Sequence, residues 1–533
     1  MAARRAVIPL LLFCICILQR YWQWQLLAPQ IAYLATFNPD RTVMQFLPLA
    51  VWREHFAAAL LYLQQAPPLS NLLFGLVVRL NTDPAVRAMV LILLSGFFSA
   101  LTSMLLFVLL VRLSVPRWLA IFVTLIFIGS GELLVMEYAL LGQMFYEYLA
   151  MTAVMAAAYA AVALAQQPSQ YRSFALGVAV AVLALSRATF SYIELPVLAW
   201  LVWRRDTRGR IFAAALLPIL LLHGGWALKQ WYVYGHWQWA TSSWGGVNVQ
   251  AGDLKRQDLR FAEWANDRKQ GCATRWPGYI QHAPFGAFAF GADAAETLTQ
   301  FEQSGQAMQA DRAAWQARQL WVPQDSAAFG DLSQCLQHLY LQYWARFPQR
   351  AAAGWWQSYA QFWSPIDSWA AAFHFALVPA GLSSELLVAP LWERPANFLQ
   401  ARQYSVRQNA VAVFGVKDEG VFSAAQVIAL PLLPHWCAAI TCIGLHALPL
   451  IVIAAISIKI ALKDLLPKGF AFLLLIYGYL AFASNLVEFG ENMRFRLVVE
   501  PLGWAIALVA FAALWKIGKQ LMRHRVRIPA PAR

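Results

Sequence analysis

Among the polar side chains of this 533-residue chain, four groups have types and spacing that suit chemistry. The first runs from Asn38-Pro39-Asp40-Arg41 through Glu54-His55 to Gln64-Gln65-Ala66-Pro67-Pro68-Leu69-Ser70-Asn71. A carboxylate facing an apolar vestibule can accept a proton from an incoming hydroxyl, which makes Asp40 and Glu54 candidate bases. Asp40 also suits a helix N-cap or a turn, and Pro67-Pro68 also suits a break before a helix. The second group is Glu132, Glu137 and Gly142-Gln143-Met144-Phe145-Tyr146-Glu147, whose acids also suit a solvated membrane boundary. The third is Ser186-Arg187 together with Lys229. Cations at a membrane boundary without nearby carboxylates often bind an anion. The fourth is Glu488, Glu491, Asn492, Arg494, Arg496 and Glu500. A bidentate guanidinium fits a phosphate, and pairing of these arginines with the neighbouring glutamates is the plain alternative.

The elements that position these groups are membrane spans. Hydrophobic residues make up 60% of the chain and charged ones 13%, and the mean hydropathy is +0.51. Those values lie outside the soluble range. The formal charge of +14 resides in short clusters between apolar runs, not on a basic face, so nucleic acid is not the expected partner. Crossing roughly 30 Å of hydrocarbon takes about 17–25 residues. About ten runs approach that length: 6–22, 86–111, 118–135, 145–165, 173–187, 189–203, 211–233, 433–458, 469–488 and 497–516. The class is an all-α polytopic membrane protein.

Charge placement orients it. Arg4 and Arg5, Arg112 and Arg117, Arg172, the 204–210 cluster, Lys459, Lys463 and Lys468, and the tail from Lys516 onward all fall on one side, as positive-inside topology requires. Both termini are then cytoplasmic. The organisation that follows is a signal-anchor span over 1–22, an outer loop over 23–85 with amphipathic stretches such as Thr42 to Tyr62, and a bundle over 86–233. A large Trp-rich outer loop covers 234–432, three spans lie between 433 and 516, and a basic tail covers 517–533. Trp237, Trp239, Trp315, Trp355 and Trp356 of that loop suit the membrane–water boundary, with membrane lipids as partners. Helical periodicity is visible over 296–345. Cys272 and Cys335 both fall in the large loop, where an oxidising compartment permits a disulfide between them. No Cys/His spacing suits zinc.

The order of motifs resembles one family. Pro67-Pro68-Leu69-Ser70-Asn71-Leu72 looks like the "PPLxNLL" element of bacterial membrane glycosyltransferases related to protein O-mannosyltransferases. Leu228-Lys229-Gln230-Trp231-Tyr232 leading to Ser242-Ser243-Trp244-Gly245-Gly246-Val247-Asn248, and Glu491-Asn492-Met493-Arg494-Phe495-Arg496 with Glu500-Pro501, are similar to further elements of one bacterial branch. Gln64 and Gln65 stand where that branch carries a His or an acid, and Gly142-Gln143 where it carries "EN". The resemblance implies a C-type (GT-C) helical bundle in the bacterial inner membrane. It also implies a polyprenyl-phosphate-linked sugar donor and an acceptor glycan, lipid or protein at the outer face. In that family an acid of the first outer loop is the base, here Asp40. Basic residues hold the lipid phosphate, with Lys229, Arg494 and Arg496 as matches; Arg187 is a substrate-binding candidate as a boundary cation, outside these motifs. Pro67, Pro68, Asn71, Trp244, Asn248, Glu491 and Asn492 are the matching substrate-side positions. A divalent cation held by outer carboxylates could share the phosphate charge. A transporter or lipid flippase, or a non-catalytic scaffold of the same fold, remain the alternatives.

Overall fold

The computed structural model describes residues 2–37, 46–47, 49–63, 66–129, 133, 136–137, 142–204, 209–234, 237, 239–240, 327–362, 467–487 and 492–525. Among them every regular element is helical. The order is α1 (Ala2–Phe37), α2 (Leu49–Glu54), α3 (Phe56–Tyr62), α4 (Pro68–Leu80), α5 (Pro84–Arg112), α6 (Arg117–Ile128), α7 (Phe145–Gln166) and α8 (Gln170–Ser186). A 3-10 turn (Ala188–Phe190) leads to α9 (Glu194–Trp203), then α10 (Gly209–Pro218), a π-helical turn (Ile219–Gly224) and α11 (Gly225–Tyr234). After these come α12 (Ala327–Arg346), α13 (Pro348–Phe362), α14 (Phe470–Val487) and α15 (Asn492–Arg525).

Among the described residues four helices are long and apolar enough to cross a membrane: Pro84–Arg112, Phe145–Gln166, Gly209–Val233 and Phe495–Ala513. Shorter apolar helices cover Val7–Trp22, Pro68–Leu80, Arg117–Ile128, Gln170–Ser186, Ala188–Trp203 and Phe470–Leu486. The expected run 433–458 lies outside the described residues. The first helix passes the expected end at residue 22 and continues to Phe37. Within the amphipathic stretch from Thr42 to Tyr62 the described residues hold two short helices, with His55 between them.

Local chemistry sets the helix starts. Asp83 caps α5 by accepting from the Ala85 and Val86 amides at 2.7 and 3.3 Å, with Pro84 at the first helical position. Ser169 caps α8 by accepting from the Arg172 amide. Pro68 opens α4, so the double proline does break the chain before a helix.

Helix α7 lies at the centre, buried along nearly its whole length from Phe145 to Ala165. Its alanines let neighbours approach closely, and α5, α8 and α15 pack on it. In turn α1 packs on α5, α10 on α8, and α14 on α15. Hydroxyls bridge these helices: Thr102 meets Thr152 at 2.9 Å between α5 and α7. Ser173 donates to the Ile211 carbonyl at 2.6 Å between α8 and α10. A Cβ on Gly177 would overlap the Ala215 carbonyl oxygen and the Pro218 ring, so only glycine allows α8 and α10 to come this close.

Helix α6 has 12 residues and spans about 18 Å at 1.5 Å per residue, well short of a bilayer core. Its last carbonyl, on Ile128, accepts from Arg20 Nη1 at 2.7 Å. A cation is favoured where helix carbonyls end. The same guanidinium reaches Ser99 at 3.1 Å and binds Glu137 at 2.8–3.0 Å. Beyond α6, Leu133, Met136 and Glu137 are helical and buried.

Candidate functional site at one end of the bundle

Helix α7 starts, α8 ends, α9 starts and α15 starts at one end of the bundle, and buried polar side chains collect there. Glu147 sits in the first turn of α7, and Arg187 is the residue at which α8 stops. Forty positions apart, they form an ion pair in which the glutamate is fully buried and the arginine 2% exposed. The Arg187 guanidinium carbon also lies 3.9 Å from the centroid of Phe495 on α15, with Tyr146 and Phe190 at 5.6 and 6.0 Å. The next residue of α15, Arg496, approaches Glu500 one turn on at 4.0 Å, both buried. The neighbouring Ser186 carbonyl accepts from Ser70 of α4 at 2.6 Å. The Ser186-Arg187 break thus joins four helices.

Asn71 is fully buried, accepts from the Leu47 amide at 3.3 Å and donates to the Pro67 carbonyl at 3.0 Å. Just before Leu47, Phe46 stacks on Phe74 at 4.2 Å and on Phe145 at 5.8 Å. The end of the stretch that follows Asp40 is therefore fixed against α4 and α7. From α11, Lys229 donates to the Leu63 carbonyl, which Gln230 also reaches, and its ammonium lies 4.2 Å from the Trp226 centroid.

A second pair was not among the sequence candidates. Glu194 opens α9 and His223 lies in the π-helical turn; both are buried, and His223 Nδ1 bonds Glu194 Oε1. His223 Nε2 contacts the Trp239 carbonyl at 2.7 Å. A carbonyl only accepts, so Nε2 carries a hydrogen. One further proton then lies between Nδ1 and Oε1, and the pair is electrically neutral whichever partner holds it. That neutrality makes the pair tolerable at a buried position. A π-turn is frequent at functional sites, but its insertion into an apolar run leaves no mark in hydrophobic periodicity.

The structure brings together some of the sequence candidates. Asn71, Pro67, Pro68, Arg187, Arg496 and Lys229 all belong to this end of the bundle. Arg187 was expected to lack a nearby carboxylate and instead has Glu147; a forty-residue separation hides such a partner. Arg496 follows the plain alternative, pairing with Glu500 four residues on. Glu54 is 68% exposed beside His55. Asp40, Trp244, Asn248, Glu491 and Cys272 lie outside the described residues, as do the side chains of Asn492 and Arg494. Cys335 is disulfide-bonded. Among the described residues no group of three metal-type ligands occurs. No protein-family model, characterised protein or solved structure matches the chain.

Proposed function

We propose that this chain is a membrane glycosyltransferase that moves a sugar from a polyprenyl-phosphate-linked donor to an acceptor at the extracytoplasmic face of a bacterial inner membrane. The observation that carries the reading is the convergence at one bundle end of Asn71, Lys229 and Arg496, one position from each of the three motifs that carry the family resemblance, with Arg187 at the same end. Fixed cations in a water-poor site stabilise charge that develops on a departing phosphate, and they do so without reorganising. Glu147 and Glu500 hold Arg187 and Arg496 in place until phosphate oxygens compete for them. Asp40 is the proposed base, taking the acceptor hydroxyl proton as the oxygen attacks the sugar carbon and the lipid phosphate leaves with inversion. A lipid-linked donor needs no nucleotide loop, in keeping with a sequence that carries none.

Native mass spectrometry of the full chain purified with its membrane lipids tests the donor class. Retention of a polyprenyl phosphate is the expected result, and recovery of bulk phospholipid alone would overturn the reading. Asp40→Asn should abolish sugar transfer from a polyprenyl-phosphate donor while expression is unchanged; near-normal turnover would remove Asp40 from the mechanism.

A lipid flippase or transporter is the second reading, and one observation favours it. Such proteins use discontinuous helices near their substrate sites, and α6 is only 12 residues long while the chain breaks again at Arg187. Movement of a fluorescent polyprenyl phosphate between leaflets of proteoliposomes, without chemical change, is the result that would select it.

A further inference from the structure

The Glu194 carboxylate has one oxygen committed and one not. Oε1 bonds His223, whereas Oε2 is buried with no hydrogen-bond partner among the described residues. A buried carboxylate oxygen in that state is costly, so it asks for a donor. His223 cannot turn to supply it, because its Nε2 is held by the Trp239 carbonyl. The surroundings are aromatic. Trp239 lies 4.5 Å from the imidazole centroid and Trp237 stacks 6.4 Å from Trp239 at 24°. Tyr192 and Tyr479 lie within electrostatic reach of the same carboxylate. Trp237 and Tyr192 are 58% and 47% exposed, so both ends of this aromatic group reach the surface.

We infer that Glu194, Trp237, Trp239 and Tyr192 form a sugar-binding subsite in which Glu194 Oε2 accepts a ligand hydroxyl. The inference rests on the proposed transferase reading and names where its carbohydrate is held. Three features select a neutral polyhydroxylated ring. The His223–Glu194 pair is already neutral, so a charged ligand would bring an uncompensated charge into a buried place. A metal ion would need several oxygen donors, and no group of three potential ligands surrounds this carboxylate among the described residues. Aromatic faces combined with one strong acceptor bury the apolar face of a sugar ring and satisfy a hydroxyl on its edge. Glu194 touches ligand in this arrangement; His223 is a positioning residue that fixes which carboxylate oxygen is available.

The test uses the full chain in lipid nanodiscs and saturation-transfer NMR with the methyl glycosides of glucose, mannose, galactose and N-acetylglucosamine. At least one glycoside should bind, with affinity falling about tenfold in Glu194→Gln, which exchanges a charge-assisted acceptor for a neutral one. Trp237→Ala, at an exposed position, should weaken the same glycoside while leaving thermal unfolding unchanged, and it decides the matter if the Glu194 variant does not fold. Absence of saturation transfer to every glycoside in the unaltered protein, or equal binding by both variants, would overturn the subsite and leave Oε2 served by water. Polyprenyl phosphate retention on the same preparations separates the two ideas. Retention without glycoside binding sinks the subsite alone, and glycoside binding without retention sinks the donor class alone.

Discussion

The Arg187 guanidinium carbon lies 3.9 Å from the centroid of the Phe495 ring, where the end of α8 meets the first turn of α15. A planar, weakly hydrated cation can sit against an aromatic face while its edge bonds a carboxylate, here Glu147. Arg187→Lys keeps the charge and loses both the planar face and the fork, so it is not a conservative exchange. It should bind polyprenyl phosphate more weakly than the parent, as measured by lipid retention in native mass spectrometry.

Glu147→Gln takes away the arginine's carboxylate. Breaking a buried pair from one side costs about 3–5 kcal/mol, whereas replacing both partners with apolar residues of similar volume is often neutral. The double variant Glu147→Met, Arg187→Met should therefore be more stable than either single variant. A double-mutant cycle on detergent-titrated unfolding checks this, and additive losses would show that the two side chains do not act as a pair.

How much of this was legible in the sequence depends on how far apart the partners lie. Pro67-Pro68 announces the start of α4 through local sterics, and the polar Ser186-Arg187 step announces a helix break within an apolar run. The Arg496–Glu500 pair is visible at helical spacing. Arg20 and Glu137 are 117 positions apart, and no local pattern joins them. The π-turn that carries His223 is equally silent, because hydropathy alone does not distinguish it from a continuing α-helix. Apolar runs reveal that helices exist. Where one stops short, as α6 does at Ile128, depends on a capping group supplied from elsewhere in the chain.

That cap makes its own prediction. Arg20→Met leaves the Ile128 carbonyl and Glu137 without the guanidinium and should cost about 3–5 kcal/mol, by the same logic of a buried pair broken from one side. Hydrogen exchange should quicken at the amides of 117–129 in particular. Uniform quickening across α5 and α7 as well would mean that Arg20 stabilises the bundle at large and is not the cap of α6.

Between α8 and α10, Gly177 and Ser173 separate two kinds of contact. Ser173→Ala removes one interhelical hydrogen bond and should cost about 0.6 kcal/mol. Gly177→Ala pushes a methyl group into the Ala215 carbonyl and Pro218, and should cost more, about 1–3 kcal/mol. Thermal or denaturant unfolding of the two variants side by side gives the order; a reversal would show that the close approach is not required.

Cys335 is disulfide-bonded, and Cys272 shares the large loop. Peptide mapping without reduction should recover the two together, with Cys14 and Cys16, both free thiols, alkylated. That pattern would place the large loop in an oxidising compartment. Recovery of Cys272 as a free thiol would break the expected pairing.

The π-turn at Ile219–Gly224 has a consequence for the chain beyond it. Each residue of an α-helix advances the side-chain direction by about 100°, so a turn wound with one extra residue resets the azimuth of everything that follows. His223 faces Glu194, while Lys229 and Gln230 face Leu63, because the winding changes between Pro218 and Gly225. Winding 219–224 as ordinary α-helix with no residue removed would swing α11 by about that angle. The apolar composition of the segment would not change, and yet the imidazole and the ammonium could no longer both meet their partners. This helix is keyed like a lock cylinder, its winding mattering more than its hydrophobicity.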